Sequence, residues 1–154
     1  MSPTPEDPLR TLAALVVKDR VGLGGLPQGP QAQALAWVWA GLPEGLALSE
    51  REVNEALKAQ LDAAAVWLDT DHVELRRWLV DAGWLQRDGW GREYRRVPAA
   101  RIAPEWQALA AACAAVDTAA WTAQRRAAQA VARAERRRLW QGGSVGRDAP
   151  GEAA

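Results

Sequence analysis

Leu12, Leu15 and Val16 recur at i, i+3 and i+4, which places them on one face of a helix and predicts a short amphipathic element over residues 9–20. The prolines of residues 1–8 deny that leader a regular hydrogen-bond ladder, so order is expected to begin near Leu9. Gly22, Gly24, Gly25, Pro27, Gly29 and Pro30 then predict a loop. A second helix is expected over 31–40, with Leu35, Val38 and Trp39 on one side and Gly41 and Pro43 ending it. Ser49-Glu50-Arg51-Glu52 has the spacing of a capping box, in which hydroxyl and carboxylate each satisfy an amide of the first turn. Val53, Leu57 and Leu61 continue the buried stripe of that helix to about Ala64, and Trp67 and Leu68 anchor a connection over 65–70.

Asp71, with Glu74 three residues on, predicts another helix start; Leu75, Trp78, Leu79 and Ala82 form its apolar face, and Gly83 suits a left-handed cap. Residues 84–97 read as strand, turn and strand, with Asp88-Gly89 as a hairpin signal because such turns use positive φ. Pro98 closes the hairpin and Pro104 opens an Ala-rich helical stretch reaching Trp140. Asp117-Thr118 offers a cap inside that stretch, so one continuous helix and two shorter ones both fit the pattern. Gly142 and Gly143 predict a flexible tail over 142–154.

Composition narrows the chemistry. One Cys (Cys113) and one His (His72) in 154 residues leave no self-contained zinc site, disulfide framework or iron–sulfur cluster, so no metal and no cofactor are expected. Nine Trp and no Phe make tryptophan the bulk of the aromatic core. The net charge is zero, which argues against coating a polyanion by bulk charge. The balance is uneven along the chain: residues 49–97 hold 8 basic and 10 acidic side chains, whereas residues 98–140 hold 7 and 3. No stretch approaches the length of a membrane span and the start lacks the pattern of a signal peptide, so a cytoplasmic protein is expected.

Two helices followed at once by a hairpin is the order of a winged helix-turn-helix. The motifs Ser49-Glu50-Arg51-Glu52-Val53-Asn54, Asp71-His72-Val73-Glu74-Leu75-Arg76-Arg77 and Gly91-Arg92-Glu93-Tyr94-Arg95-Arg96-Val97 resemble a bacterial family, the domain of unknown function 2087 family, over about residues 48–97. A looser likeness reaches back to about residue 12. Some members of that family resemble or are fused to arsenic-repressor-type transcription regulators, so the resemblance implies a regulatory setting. This chain departs from it in the extra residues around 62–69 and in Gln28-Gly29-Pro30-Gln31-Ala32-Gln33, where relatives tend to be rich in Lys and Arg.

Candidate contacts follow from charge and position. Arg76 and Arg77 lie on the helix that would face a DNA groove, where they meet bases or phosphates, or else pair with Glu52, Glu55 or Asp81. Arg87, Arg92, Arg95 and Arg96 crowd the hairpin, either along a phosphate backbone or as a charged strand edge that blocks aggregation. Trp90, at the hairpin tip, suits stacking on a base or anchoring a partner, or else folds back onto the protein. In the C-terminal stretch Arg125, Arg126, Arg133, Arg136, Arg137 and Arg138 stand against Glu135, a set suited to neutralising phosphates or, equally, to forming helix and covering apolar surface with its aliphatic stems. Trp106, Leu109, Cys113, Val116 and Ala120 follow a 3–4 spacing over two heptads, as in a dimer seam, or pack onto the core. His72 and Asn54 read as structural, and Cys113 as a small buried apolar group.

The expected fold is mainly α with a small β-hairpin: a winged-helix-like domain over 9–97 and an Ala/Arg-rich helical extension over 98–141. The expected function is nucleic-acid binding, with double-stranded DNA as partner, in a transcription regulator. The alternative is a module that binds a protein or a second copy of itself. No Gly-rich phosphate loop, metal-ligand set or activated nucleophile points to an enzyme.

Overall fold

The computed structural model describes residues 7–90 and 92–147. Helix α1 (Arg10–Leu15) is shorter than its periodicity suggested, and a 3-10 turn (Leu23–Gly25) leads to α2 (Gln28–Ala40). The α2 helix begins three residues before the predicted start. Gly29 and Pro30 fall within its first turn, where amides have no partner inside the helix and a proline costs little. It is also buried on every side: Ala32, Ala34, Leu35, Ala36, Trp37, Val38 and Trp39 all belong to the core. A helix apolar all round sits inside its domain, and α1 and α5 (Gln107–Ala114) pack against it.

Strand β1 (Leu48–Ser49) precedes α3 (Glu50–Asp62). The capping box forms as the spacing predicts: Glu52 N donates to Ser49 Oγ at 3.1 Å and Ser49 N donates to Glu52 Oε1 at 3.1 Å. These bonds to the ionised form hold the Glu52 carboxyl below its usual range. Beyond α3 the chain turns through Trp67 and Leu68, both buried, and Val21 bridges to Leu68. The turn has a hub in the Ala64 carbonyl, which accepts from Trp37 Nε1 (3.0 Å), Trp67 Nε1 (2.9 Å) and Thr122 Oγ1 (2.8 Å).

Gly41 ends α2 with φ −85°, a conformation open to any residue. Its constraint is steric, because a Cβ there would collide with the side-chain amide nitrogen of buried Gln60. Gly41→Ala is therefore expected to destabilise the fold by about 1–3 kcal/mol, as overpacking does. Denaturant melts check this, and in a Gln60→Ala background most of the loss should vanish.

Helix α4 (His72–Asp81) starts at Asp71, whose Oδ1 accepts from Glu74 N at 2.8 Å, and it is followed by Gly83 at φ 84°. Strands β2 (Leu85–Arg87) and β3 (Glu93–Arg96) form the hairpin. β1 pairs with β3 on its other side, giving a three-stranded antiparallel sheet in the order β1-β3-β2. The hairpin loop is wider than a two-residue turn. Asp88 N donates to Glu93 O at 3.0 Å and Arg92 N to Asp88 Oδ1 at 2.8 Å, while Gly89 does not adopt the positive φ expected of an Asp-Gly turn.

The Ala-rich stretch breaks at Asp117, whose carboxylate accepts from Ala120 N at 3.1 Å and caps α6 (Thr118–Arg147). Of the two arrangements the sequence left open, the capped break is the one formed. Leu109, Ala110 and Cys113 enter the same core as α2, so the residues of the candidate seam in α5 pack inward and the helical extension shares the hydrophobic core of the domain before it. The start of α6 is fastened by Thr122, by Trp121 against Trp37 (centroids 5.1 Å apart) and by Arg126. Arg126 donates to Val16 O (2.9 Å), Lys18 O (2.8 Å) and Asp19 Oδ1 (2.7 Å), and its charge holds the Asp19 carboxyl below its usual range. After Gln129 the described side chains of α6 are exposed. The helix continues through Gly142 and Gly143, where a flexible tail was expected, and ends at Arg147. The predicted leader at residues 1–6 and the tail at 148–154 lie outside the described residues.

Candidate functional site

The strand register separates the four hairpin arginines. Leu85 pairs with Arg96 and Arg87 with Tyr94, so these side chains share the inner face, while the pair Gln86 and Arg95 lies on the outer one. Leu85 and Tyr94 are buried, which aims Arg87 toward α4 and Arg96 toward the core.

Arg87 meets α4 across a cleft of about 150 Å³ lined by Val73, Arg76, Arg77, Val80, Asp81 and Tyr94. Three arginines from a helix and a strand thus line one depression together with the carboxylate of Asp81, and a second carboxylate, Glu50, reaches Arg76. Arg76 is held firmly. Its Nη1 donates to Asn54 Oδ1 at 2.6 Å and pairs with Glu50 Oε1 at 3.3 Å, and its guanidinium lies 5.3 Å from the Tyr94 ring centroid. The structural pairing expected for one of the two helix arginines falls to Arg76, with Glu50 and Asn54 as partners in place of Glu52, Glu55 or Asp81. Arg77 and Arg87 are exposed. A cleft of this kind suits an oxyanion that accepts several charge-assisted hydrogen bonds at once.

Arg96 is not available for such contacts. Its guanidinium stacks over the Trp39 ring at 3.9 Å and Nη1 donates to Ala40 O (3.2 Å) and Leu42 O (2.9 Å). It serves the end of α2, where carbonyls lack partners within the helix. Burial lowers its pKa, and the nearby charge of Glu44 opposes that shift. Arg92 and Arg95 are exposed, Arg92 in the loop and Arg95 on the outer face. Trp90 is 85% exposed at the tip, so its ring is free of the core.

Arg133, Arg136, Arg137 and Arg138 lie on the projecting part of α6, all exposed. Arg125 instead covers Trp121 at 4.3 Å and Arg126 is tied to α1 and Asp19, so the basic helix divides into an anchoring and a free half. Cys113 is buried and burial pushes its thiol up to about 12, which leaves it inert at neutral pH. His72 is the first residue of α4 and half-buried. Among the described residues no three His, Cys, Asp or Glu side chains are grouped to hold a metal, and no helix is long and apolar enough to cross a membrane.

Sequence reasoning singled out Arg76, Arg77 and Arg87 as candidates, and the structure places them in one cleft lined also by Tyr94 and Asp81, which the sequence did not bring together. The signal was the alternation from buried Leu85, which puts Arg87 on the face that α4 covers, though the pairing with Tyr94 needed the register. No curated protein and no solved structure matched the chain. Residues 27–96, the unit from α2 to the last strand with its arginine-lined cleft, match the family described as "Uncharacterized protein conserved in bacteria (DUF2087)".

Proposed function

We propose that the protein binds the phosphate backbone of double-stranded nucleic acid, as a winged-helix regulator without catalytic activity. The observation that supports this reading is the cleft in which Arg76, Arg77 and Arg87 converge beside Tyr94 between α4 and the hairpin. A helix and a hairpin separated by a basic depression can straddle a groove edge, the helix facing bases and the strand following the backbone. The order of helix, short strand, two helices and hairpin is compatible with that geometry. Exposed Arg92, Arg95 and Trp90 extend the same hairpin, and Arg133, Arg136, Arg137 and Arg138 add a second basic surface.

Fluorescence anisotropy on a mixed-sequence duplex across a salt series tests the proposal. Binding should weaken steeply with salt, and each arginine–phosphate pairing removed should flatten the logarithmic slope by about 0.9. An Arg77→Ala/Arg87→Ala chain should therefore lose about two such increments, whereas replacing Arg133, Arg136, Arg137 and Arg138 by Gln measures the helix separately. Absence of binding by the folded chain at low salt would remove the proposal.

A further inference from the structure

Beyond Gln129, α6 has no packing partner among the described residues. Val131, Leu139 and Trp140 are 60, 77 and 73% exposed, and Leu139 and Trp140 are consecutive residues on the projecting part of α6, about two turns before it ends at Arg147. An adjacent Leu and Trp near the end of a well-formed helix is an apolar feature that water serves poorly.

A groove of about 530 Å³ lies at the opposite end of the same helix. The end of α2 (Ala40, Gly41, Pro43) and α3 (Ala56, Ala59, Ala63) form its small-residue walls, and Val116, Asp117 and Thr118 at the α5–α6 corner close it. Gln60 also lines it, only 8% exposed. Its Nε2 donates to Val38 O at 3.4 Å, but its Oε1 is buried with no donor. Buried acceptors are seldom left unpaired, so this amide oxygen marks a position where a donor is missing.

We infer that the groove receives Leu139 and Trp140 of a second copy of this chain. The chain cannot fill its own groove: Leu139 lies 21 residues beyond Thr118 on one continuous helix, about 30 Å away at 1.5 Å per residue. Charge favours the pairing. Over residues 131–142 the helix carries Arg133, Arg136, Arg137 and Arg138 against Glu135, while residues 7–117 hold 15 acidic and 12 basic side chains. Asp117 lines the groove, and Glu52 lies one helical turn before Ala56 on the same side of α3, while Glu55, one turn before Ala59, is paired with Lys58 at 3.4 Å. The chemistry is also complementary, because a tryptophan N–H donates only and seeks an acceptor once buried. Gln60 Oε1 is enclosed in the free chain, so the Gln60 side chain turns toward the groove as the Trp140 indole enters and donates to it. Because each chain has both helix end and groove, two copies exchange ends reciprocally and the assembly closes as a two-fold dimer.

This inference is independent of nucleic-acid binding and is tested without nucleic acid present. Sedimentation equilibrium of the full chain over a concentration series should show a monomer–dimer equilibrium. Leu139→Ala/Trp140→Ala removes the plug from a solvent-exposed helix end, and Ala59→Trp fills the groove from an exposed position. Each should weaken dimerisation about tenfold or more while circular dichroism melts at concentrations low enough to leave every chain monomeric stay unchanged. Mixing the two variants restores one intact plug and one intact groove, so a heterodimer should form more tightly than either variant self-associates. A wild-type chain that stays monomeric throughout, or a dimer indifferent to either variant, overturns the inference.

Discussion

Trp37→Ala is expected to destabilise the protein by about 3–5 kcal/mol, a large share of the roughly 5–15 kcal/mol that holds a domain folded. Trp37 is fully buried at the middle of the core. Its indole N–H donates to Ala64 O at 3.0 Å and to Thr122 Oγ1 at 3.2 Å, and its ring meets Trp121 edge to face at 63°. Truncation leaves a cavity, removes an aromatic pair and takes a donor from the hub that fastens the α3–α4 connection and the first turns of α6 to α2. Trp37→Phe keeps most of the apolar volume and loses the donor, so it should recover much of the loss. Denaturant unfolding of both variants separates the cavity from the hydrogen bonds. A loss near zero for Trp37→Ala would show that α2 is not the centre of the core.

Arg96→Ala should cost about 2–4 kcal/mol, whereas Arg95→Ala, one residue earlier, should change stability by no more than about 0.5 kcal/mol. The contrast follows from the pleat. Arg96 faces inward, stacks on Trp39 and donates to two carbonyls at the end of α2; Arg95 faces outward beside Gln86. Removing Arg96 leaves the Ala40 and Leu42 carbonyls without that donor and uncovers the Trp39 ring. Lysine is not a substitute here, since a single ammonium replaces neither the planar stack nor the fork of donors, so Arg96→Lys should recover only part of the loss. Thermal melts of the three variants decide the matter, and equal effects at 95 and 96 would mean the register is wrong. For nucleic-acid binding the consequence is practical: an Arg96 variant reports on folding, while Arg77 and Arg87 report on the cleft.

These two predictions also mark how far the sequence could be read. Arg92, Arg95 and Arg96 look equivalent as a string, and Arg76 and Arg77 equally so. Their roles diverge because strand register and helix rotation face one residue toward protein and its neighbour toward water. Composition likewise made tryptophan the core aromatic, but did not show that three indole or hydroxyl donors meet at one carbonyl, since Trp37, Trp67 and Thr122 lie far apart in the chain.

By itself the sequence determined the features whose physics is local. The Ser49–Glu52 box, the Asp71 cap and the left-handed Gly83 each depend on a side chain reaching an amide, or a glycine escaping a Cβ clash, within four residues, whereas the break at Asp117 was one of two arrangements the sequence left open. Only the tertiary structure decided the rest. Two-residue β1 exists because β3 offers it a ladder; α2 is buried on every side between Ala32 and Trp39 because α1 and α5 pack against it; and the α5 part of the candidate seam turned inward because α2 was there to receive it. The same holds for the cleft and the groove. Each depends on register and packing between elements, α4 against the hairpin for the cleft and the end of α2 with α3 and the α5–α6 corner for the groove, and no local pattern encodes these contacts.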